Sequence, residues 1–273
     1  MRIQLYTPSA LDEKSIHHKF IVVLRHYLST FTDVELTDVN PDLVHVFGGI
    51  TSANKMKIAE CNRLKIPVLY SPLSALQPWE VSSLTHTTVL NKSLSNYLLQ
   101  IIAAFHVCNK IEKEVIEQKT EHHSVSLIAN SVITSQLTDK EMVEKMRSLY
   151  VETIHQYDIN IKESIVKQVA NLKEISEPIA SLCHDFLYIH YLYVKRNISK
   201  TLLSELVNKL HHSEYDEDKM KEVIEELKLT SFITELEGVL KERFSLLEGF
   251  MPIPFDSGNI AKEIEERITD YTH

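Results

Sequence analysis

The stretch that decides the fold runs from residue 41 to residue 79, and it holds two short apolar runs. The first is Pro41-Asp42-Leu43-Val44-His45-Val46-Phe47-Gly48-Gly49, and the second is Ile66-Pro67-Val68-Leu69-Tyr70-Ser71-Pro72-Leu73-Ser74. Between them, Ala53 to Cys61 favours a helix, so the stretch predicts a strand–helix–strand unit with parallel strands. Ligands of such sheets bind beyond the carboxyl ends of the strands. We therefore expect any site to lie near the residues that end the two runs.

The rest of the first half repeats this alternation. Ser15 to Ser29 has the apolar spacing of a helix, and short apolar runs predict further strands. These strands are Ile3 to Tyr6, Val34 to Thr37, Leu43 to Phe47, Val68 to Ser71, Thr88 to Leu90, Phe105 to Cys108 and Val125 to Ile128. The pattern predicts an α/β fold with a doubly wound, mostly parallel sheet.

The pattern changes after about residue 135. Thr138 and Glu141 have the spacing of a capping box, and long segments with a 3.6-residue period follow. The only further strand that the sequence predicts is Met251 to Phe255. We therefore predict two domains, an α/β domain over residues 1–134 and a helical bundle over residues 135–273.

Charge and composition exclude some classes of function. The chain has 29 basic and 38 acidic side chains, a net charge of −9, whereas a nucleic-acid surface needs concentrated basic residues. Its apolar runs are shorter than a membrane span, and the three cysteines are far apart in apolar contexts. We expect a protein of the cytoplasm that is not an integral membrane protein, does not bind nucleic acid and has unpaired cysteines.

Four segments, in the right order over about half of the chain, resemble family 4 glycosyltransferases. Pro41 to Gly49 is similar to the strand "PD-apolar-VH-apolar-H-G" of that family, and Ser71 to Trp79 to its "S-P-(H or R)-G-x-L-x-P-W" segment. Phe105 to Glu114 is similar to a strand that leads into a Ser-Glu-x-Glu helix start, and Ser126 to Val132 to "apolar-I-P-N-G-V-D". The resemblance implies the Rossmann-like N-terminal, acceptor-side half of a GT-B fold.

The chain also departs from the family pattern. Where the family has His or Arg facing the substrate cleft and then Gly, this chain has Leu73 and Ser74. The loop after the first strand has no glycine, which hinders close approach of a phosphate. No helix N-terminus preceded by small residues is evident, and residues 135–273 are patterned as helices rather than as the α/β donor domain. We therefore expect weak binding of nucleotide sugars, and neither a cofactor nor a metal.

The candidate substrate-binding residues follow the predicted strand ends or belong to family motifs. They are Ser9, Gly48, Gly49, Ser71, Leu73, Trp79, Asn130 and Glu248. Trp79 has two interpretations, because its ring could stack on a sugar or anchor the loop against the sheet. Glu248 begins Glu-Gly-Phe, which is similar to the family's "E-G-F-G-x-P" donor motif. No catalytic residue is assigned.

These patterns predict a glycosyltransferase-related protein of cell-surface polysaccharide or glycan assembly, a degenerate hexosyltransferase that is not catalytic as an isolated chain. Its candidate partners are a glycan acceptor, a protein that supplies a donor site, and a second copy of the chain. One alternative is a non-catalytic interaction or regulatory module that reuses the α/β fold. A weaker alternative is a helical HD-type metal phosphohydrolase, suggested by His155, His184-Asp185 and Asp216.

Overall fold

The computed structural model describes residues 1–8, 15–76, 97–119 and 124–269. The chain divides into two compact units, Met1–Asp158 and Ile159–His273, whereas the sequence pattern placed the boundary between residues 134 and 135. The predicted strand at Thr88 to Leu90 lies outside the described residues. Each unit is described separately below.

A six-stranded parallel sheet forms the centre of the first unit, in the order β2-β1-β3-β4-β5-β6. The strands are β1 (Arg2–Tyr6), β2 (Glu35–Leu36), β3 (Leu43–Phe47), β4 (Val68–Ser71), β5 (Ala104–Val107) and β6 (Val125–Leu127). The two strands of the deciding stretch have the predicted bounds, and they pair in parallel with Phe47 opposite Ser71. The direction of the strand order reverses between β1 and β3, and ligands of open α/β sheets bind at such a point.

Helices cover both faces of this sheet. They are α1 (Ile16–Leu28), α2 (Ser52–Arg63), α3 (Lys110–Lys119) and the residues of α4 (Asp139–Ala170) that belong to the first unit, up to Asp158. Phe20 of α1 and Tyr150 of α4 belong to one buried cluster, with side chains from one sheet face. Ile58 of α2 and Ile116 of α3 belong to a second cluster, which contains the residues that point the other way. Because β3 and β4 are buried on both faces, their sequences are nearly continuous apolar runs. The α/β prediction is confirmed.

The predicted capping box starts α4. The backbone N–H of Thr138 donates to Oε2 of Glu141 at 2.8 Å, and the N–H of Glu141 donates to Oγ1 of Thr138 at 3.2 Å. These reciprocal bonds satisfy donors that a helix start leaves without intrahelical partners. The capping-box prediction is confirmed.

The second unit is built mainly from helices. These are α5 (Glu177–Val194), α6 (Lys200–His212), α7 (Glu217–Glu226), α8 (Thr230–Phe244) and α9 (Asn259–Arg267), with a 3-10 turn at Glu248–Phe250. The strand prediction for Met251 to Phe255 is wrong, because that segment is irregular. Pro252 and Pro254 have no N–H to donate to a sheet. Instead, β7 (Ile198–Ser199) and β8 (Ile268–Thr269) form a two-residue parallel pair. Among the described residues, no helix combines the length and apolar character needed to cross a bilayer.

Candidate functional site

Gly48 follows β3, and its hydrogen bonds connect the carboxyl end of β3 to the carboxyl end of β4. This residue has φ 90°, in the left-handed region that glycine adopts without steric cost. Its N–H donates to the Ser71 carbonyl at 2.9 Å, and its own carbonyl accepts from the Tyr70 hydroxyl at 2.5 Å. The next residue, Gly49, would place an added Cβ 3.5 Å from Cβ of Ala75 in the following loop. The structure thus brings together three predicted residues, Gly48, Gly49 and Ser71.

The loop from Gly48 leads directly into α2. The side-chain amide of Asn54 donates to the carbonyls of Phe47 at 2.9 Å and Gly49 at 2.8 Å, and this fixes the turn. Thr51 caps the helix by accepting from the Asn54 N–H at 3.2 Å. The expectation that no helix N-terminus follows small residues is therefore wrong. The sequence pattern assigned the two glycines to the strand end and predicted a helix from Ala53, and in the structure this helix starts at Ser52.

The loop after β4 holds two consecutive residues in the left-handed region. Leu73 has φ 54° and Ser74 has φ 74°, a conformation that costs a non-glycine residue about 1–2 kcal/mol. The Leu73 side chain is only 6% exposed and packs in the cluster shared with α1 and α4. Leu73 therefore lies at the predicted edge of the sheet, but its side chain is part of the core.

Glu112 on α3 is buried beneath this loop, and the sequence analysis did not identify it. The carboxyl group is fully buried, and burial raises its pKa to about 7, although the backbone N–H groups of Leu76 and Ser74 act in the opposite direction. Glu112 in turn contributes to raising the pKa values of Tyr70 and Cys108, for which burial is the larger cause. Near neutral pH the carboxyl group is about half protonated.

A chain of buried hydrogen bonds crosses the other face of the sheet. The hydroxyl of Tyr150 on α4 lies 2.8 Å from Nδ1 of His45 on β3, and Nε2 of His45 lies 2.6 Å from Oγ of Ser71. The same Oγ lies 2.7 Å from Nδ1 of His106 on β5, and Nε2 of His106 lies 3.1 Å from the carbonyl oxygen of Ile128. The four side chains are at most 1% exposed. They connect three neighbouring strands to one helix.

Both imidazoles of this chain are neutral at physiological pH. Burial lowers the pKa of His106 to about 4 and the pKa of His45 well below its usual value, and the nearby His106 lowers the pKa of His45 further. A neutral, buried imidazole whose nitrogens both have partners does not meet a substrate. The two imidazoles therefore have a structural role in the part of the chain that the structure describes.

The remaining predicted residues lie in different places. Asn130 is 2% exposed and forms a turn after β6, with its Oδ1 accepting from the Val132 N–H at 3.0 Å. Ser9 and Trp79 lie outside the described residues. Glu248 belongs to the second unit, where it is exposed and paired with Lys241.

The two aspartates that suggested an HD-type metal site have other partners. Asp185 on α5 accepts from Lys209 at 2.5 Å, and Asp216 caps α7 by accepting from the Lys219 N–H at 3.0 Å. In the described part of the chain, no group of three His, Cys, Asp or Glu side chains is placed to hold a metal ion.

Sequence reasoning identified Ser71 but missed the other three members of the buried hydrogen-bond chain, His45, His106 and Tyr150. His45 and His106 are each a single polar residue in an otherwise apolar predicted strand, and this signal could have placed them in the core with a hydrogen-bond partner. Tyr150 has no such signal, because its partner comes from a strand 105 residues earlier in the chain.

Comparisons with known proteins found no matching protein-family model, no matching curated protein and no matching solved structure. The fold and the edge described above define an α/β protein with a parallel sheet and a glycine turn at the carboxyl ends of its strands.

Proposed function

We propose that the chain is a glycosyltransferase-related protein of glycan assembly that binds a glycan acceptor at the carboxyl edge of the first unit and does not itself transfer a sugar. In this account the first unit corresponds to the Rossmann-like acceptor-side half of a GT-B enzyme. A cytoplasmic location, a donor-supplying partner and self-association belong to the same proposal.

The arrangement of the four similar segments supports this ancestry. Three of them include β3, most of β5 and most of β6, and the fourth begins at Ser71, the last residue of β4; these strands are neighbours in the sheet. Because the four strands are parallel, their carboxyl ends lie at the same edge, as they would in the acceptor-side half of a GT-B fold.

The observation that carries the proposal is the backbone conformation of Ser74. The family has a glycine at the corresponding position of its Ser-Pro-(His or Arg)-Gly segment. In this chain the residue is serine, but its φ is 74°, in the region that favours glycine. In this proposal, the loop has a glycine-type conformation at the position where the family has its glycine.

Two observations favour binding without transfer. The polar side chains of β3, β4 and β5 on one face of the sheet, His45, Ser71 and His106, are buried, and Ser71 is bonded to both histidines. In addition, the described residues of the second unit are mainly helical, with two-residue strands at β7 and β8. They do not form the parallel sheet that a GT-B donor domain would supply.

A binding screen with matched variants tests the proposal. We expect a subset of oligosaccharides to bind the wild-type chain and the Gly249→Arg variant, and not Gly49→Arg. Gly49 lies at the edge and can accept a side chain without a severe clash, whereas Gly249 faces open space in the second unit. Binding that survives Gly49→Arg would place the site elsewhere.

The buried side chain of Leu73 favours the alternative, a module that binds no sugar. In the family this position carries a His or Arg that faces the substrate cleft, whereas Leu73 packs in the core. If no oligosaccharide binds in the screen, the proposal fails and this alternative remains.

A further inference from the structure

We propose that Tyr150, His45, Ser71 and His106 form an acid-sensitive latch that holds helix α4 on the parallel sheet. The latch lies inside the first unit and does not depend on the glycan proposal. Its mechanism follows from the number of protons that these four side chains can hold while all of their hydrogen bonds are made.

The direction of each hydrogen bond follows from its last member. The Ile128 carbonyl oxygen can only accept, so Nε2 of His106 carries the proton and donates. In the neutral ring, Nδ1 of His106 is then an acceptor, and the Ser71 hydroxyl must donate to it. Ser71 therefore accepts from Nε2–H of His45, and Nδ1 of His45 accepts from the Tyr150 hydroxyl. All four bonds run in one direction, from the helix to β6.

With both imidazoles neutral, the four hydrogen bonds use four protons, one for each bond. An added proton therefore finds no acceptor within this group. A proton on Nδ1 of His106 places a second N–H donor against the Ser71 hydroxyl. The hydroxyl must then either turn away from His106 or donate to His45 instead, which reverses the next hydrogen bond. If the order shifts along the chain, the Tyr150 hydroxyl is the donor that loses its acceptor. In either case one buried O–H is left unpaired, which is unfavourable because water cannot replace the lost partner. The imidazolium itself is also buried.

Among the residues that the structure describes, no anion is in contact with the two imidazoles to compensate for the new charge. The groups that face the two imidazoles are the rings of Phe20 from α1 and Phe47 from β3, the Tyr150 hydroxyl, and the Cys108 thiol, 4.0 Å from Nε2 of His106. None of them is an anion, since burial raises the pKa values of Cys108 and Tyr150. Protonation therefore weakens the contact between α4 and the sheet.

The direction of the pH effect follows from the depressed pKa values. An unfolded histidine takes up a proton near pH 6.5, whereas His106 in the fold does so near pH 4. The latch is at full strength above pH 6.5 and is lost as the pH falls toward 4. For His106 alone, the unfolding equilibrium constant should rise about 60-fold between pH 7 and pH 4.5.

Two variants of the full chain test this effect by urea unfolding at pH 7 and pH 4.5. The ratio of the unfolding constant at pH 4.5 to that at pH 7 should be about 60-fold smaller in His106→Gln than in the wild type. The control, His26→Gln, removes an exposed histidine of α1 and should behave as the wild type does. An unchanged pH dependence in His106→Gln would overturn the latch.

Nitrogen-15 NMR of the wild-type chain provides a second test that does not require the variant to fold. Both rings should be neutral at pH 7 with the proton on Nε2. A ring with its proton on Nδ1, or one that titrates near pH 6.5 in the folded protein, would contradict the proposal. After correction for intrinsic rates, amide hydrogen exchange should show less protection around Tyr150 at pH 5 than at pH 7, while protection in α8 is retained. Equal protection around Tyr150 at pH 5 and pH 7 would also overturn the proposal.

Discussion

The hydroxyl oxygen of Ser71 lies 2.6 Å from Nε2 of His45, and this bond joins the carboxyl halves of β3 and β4 within the core. Both side chains are fully buried, so water does not replace the bond when it is broken. The two strands are thus joined by their backbones and by a side-chain link that extends to β5 and α4. The edge above them holds the glycine turn and the loop with two left-handed residues.

Replacing Ser71 with alanine should destabilise the first unit by about 2–4 kcal/mol. The change removes a hydroxyl that has both histidines as partners, and it leaves two buried ring nitrogens unpaired. Urea unfolding followed by circular dichroism measures the effect. Ser148→Ala is the matched control, because Ser148 is an exposed residue of α4 and should change stability by less than about 0.5 kcal/mol. If the two variants are equally stable, the buried hydrogen bonds of Ser71 contribute little to the free energy of unfolding.

Replacing Ser74 with glycine should increase stability by about 0.5–1 kcal/mol. The serine is held at φ 74°, and relief of that strain exceeds the entropy that glycine adds to the unfolded state. In the control Ser204→Gly, within helix α6, the same substitution should reduce stability by about 0.5 kcal/mol. Thermal unfolding of both variants gives the comparison. A loss of stability in Ser74→Gly would remove the main observation that supports the family relationship.

Much of the fold, but less of the candidate site, could be predicted from the sequence. The bounds of β3 and β4 follow from short apolar runs closed by glycine or Ser-Pro, and the start of α4 follows from a local capping pattern. The left-handed backbone at Leu73 and Ser74 could not be predicted, because neither residue is a glycine and no local pattern marks the conformation. The bond between His45 and Tyr150 likewise depends on how α4 packs on the sheet, which no local pattern encodes.

Replacing Glu237 with glutamine should stabilise the second unit at high pH. Glu237 on α8 is fully buried, and burial raises its pKa to about 9, although the backbone N–H of Ile253 acts in the opposite direction. The folded state therefore holds a proton that the unfolded state releases near pH 4.5, so stability falls as the pH rises from there toward 9. The amide is uncharged without having to take up a proton, so its gain should grow with pH and reach about 2–4 kcal/mol at pH 8.

Glu266→Gln is the control for this effect, because Glu266 is an exposed residue of α9. Urea unfolding at pH 5 and pH 8 compares the two variants. Glu266→Gln should leave the pH dependence unchanged. A gain in Glu237→Gln that is the same at both pH values would show that the carboxyl group does not titrate as its burial implies.

Calorimetric titration with UDP- and GDP-sugars tests most directly the claim that the chain does not use a sugar donor. The α2 N-terminus is available after the glycine turn, but a single helix end contributes only about 0.3–1 kcal/mol toward an anion. We therefore expect a dissociation constant of about 1 mM or weaker, near 4 kcal/mol of binding free energy. A dissociation constant in the low micromolar range, about 8 kcal/mol, would show a functional donor site and contradict the account.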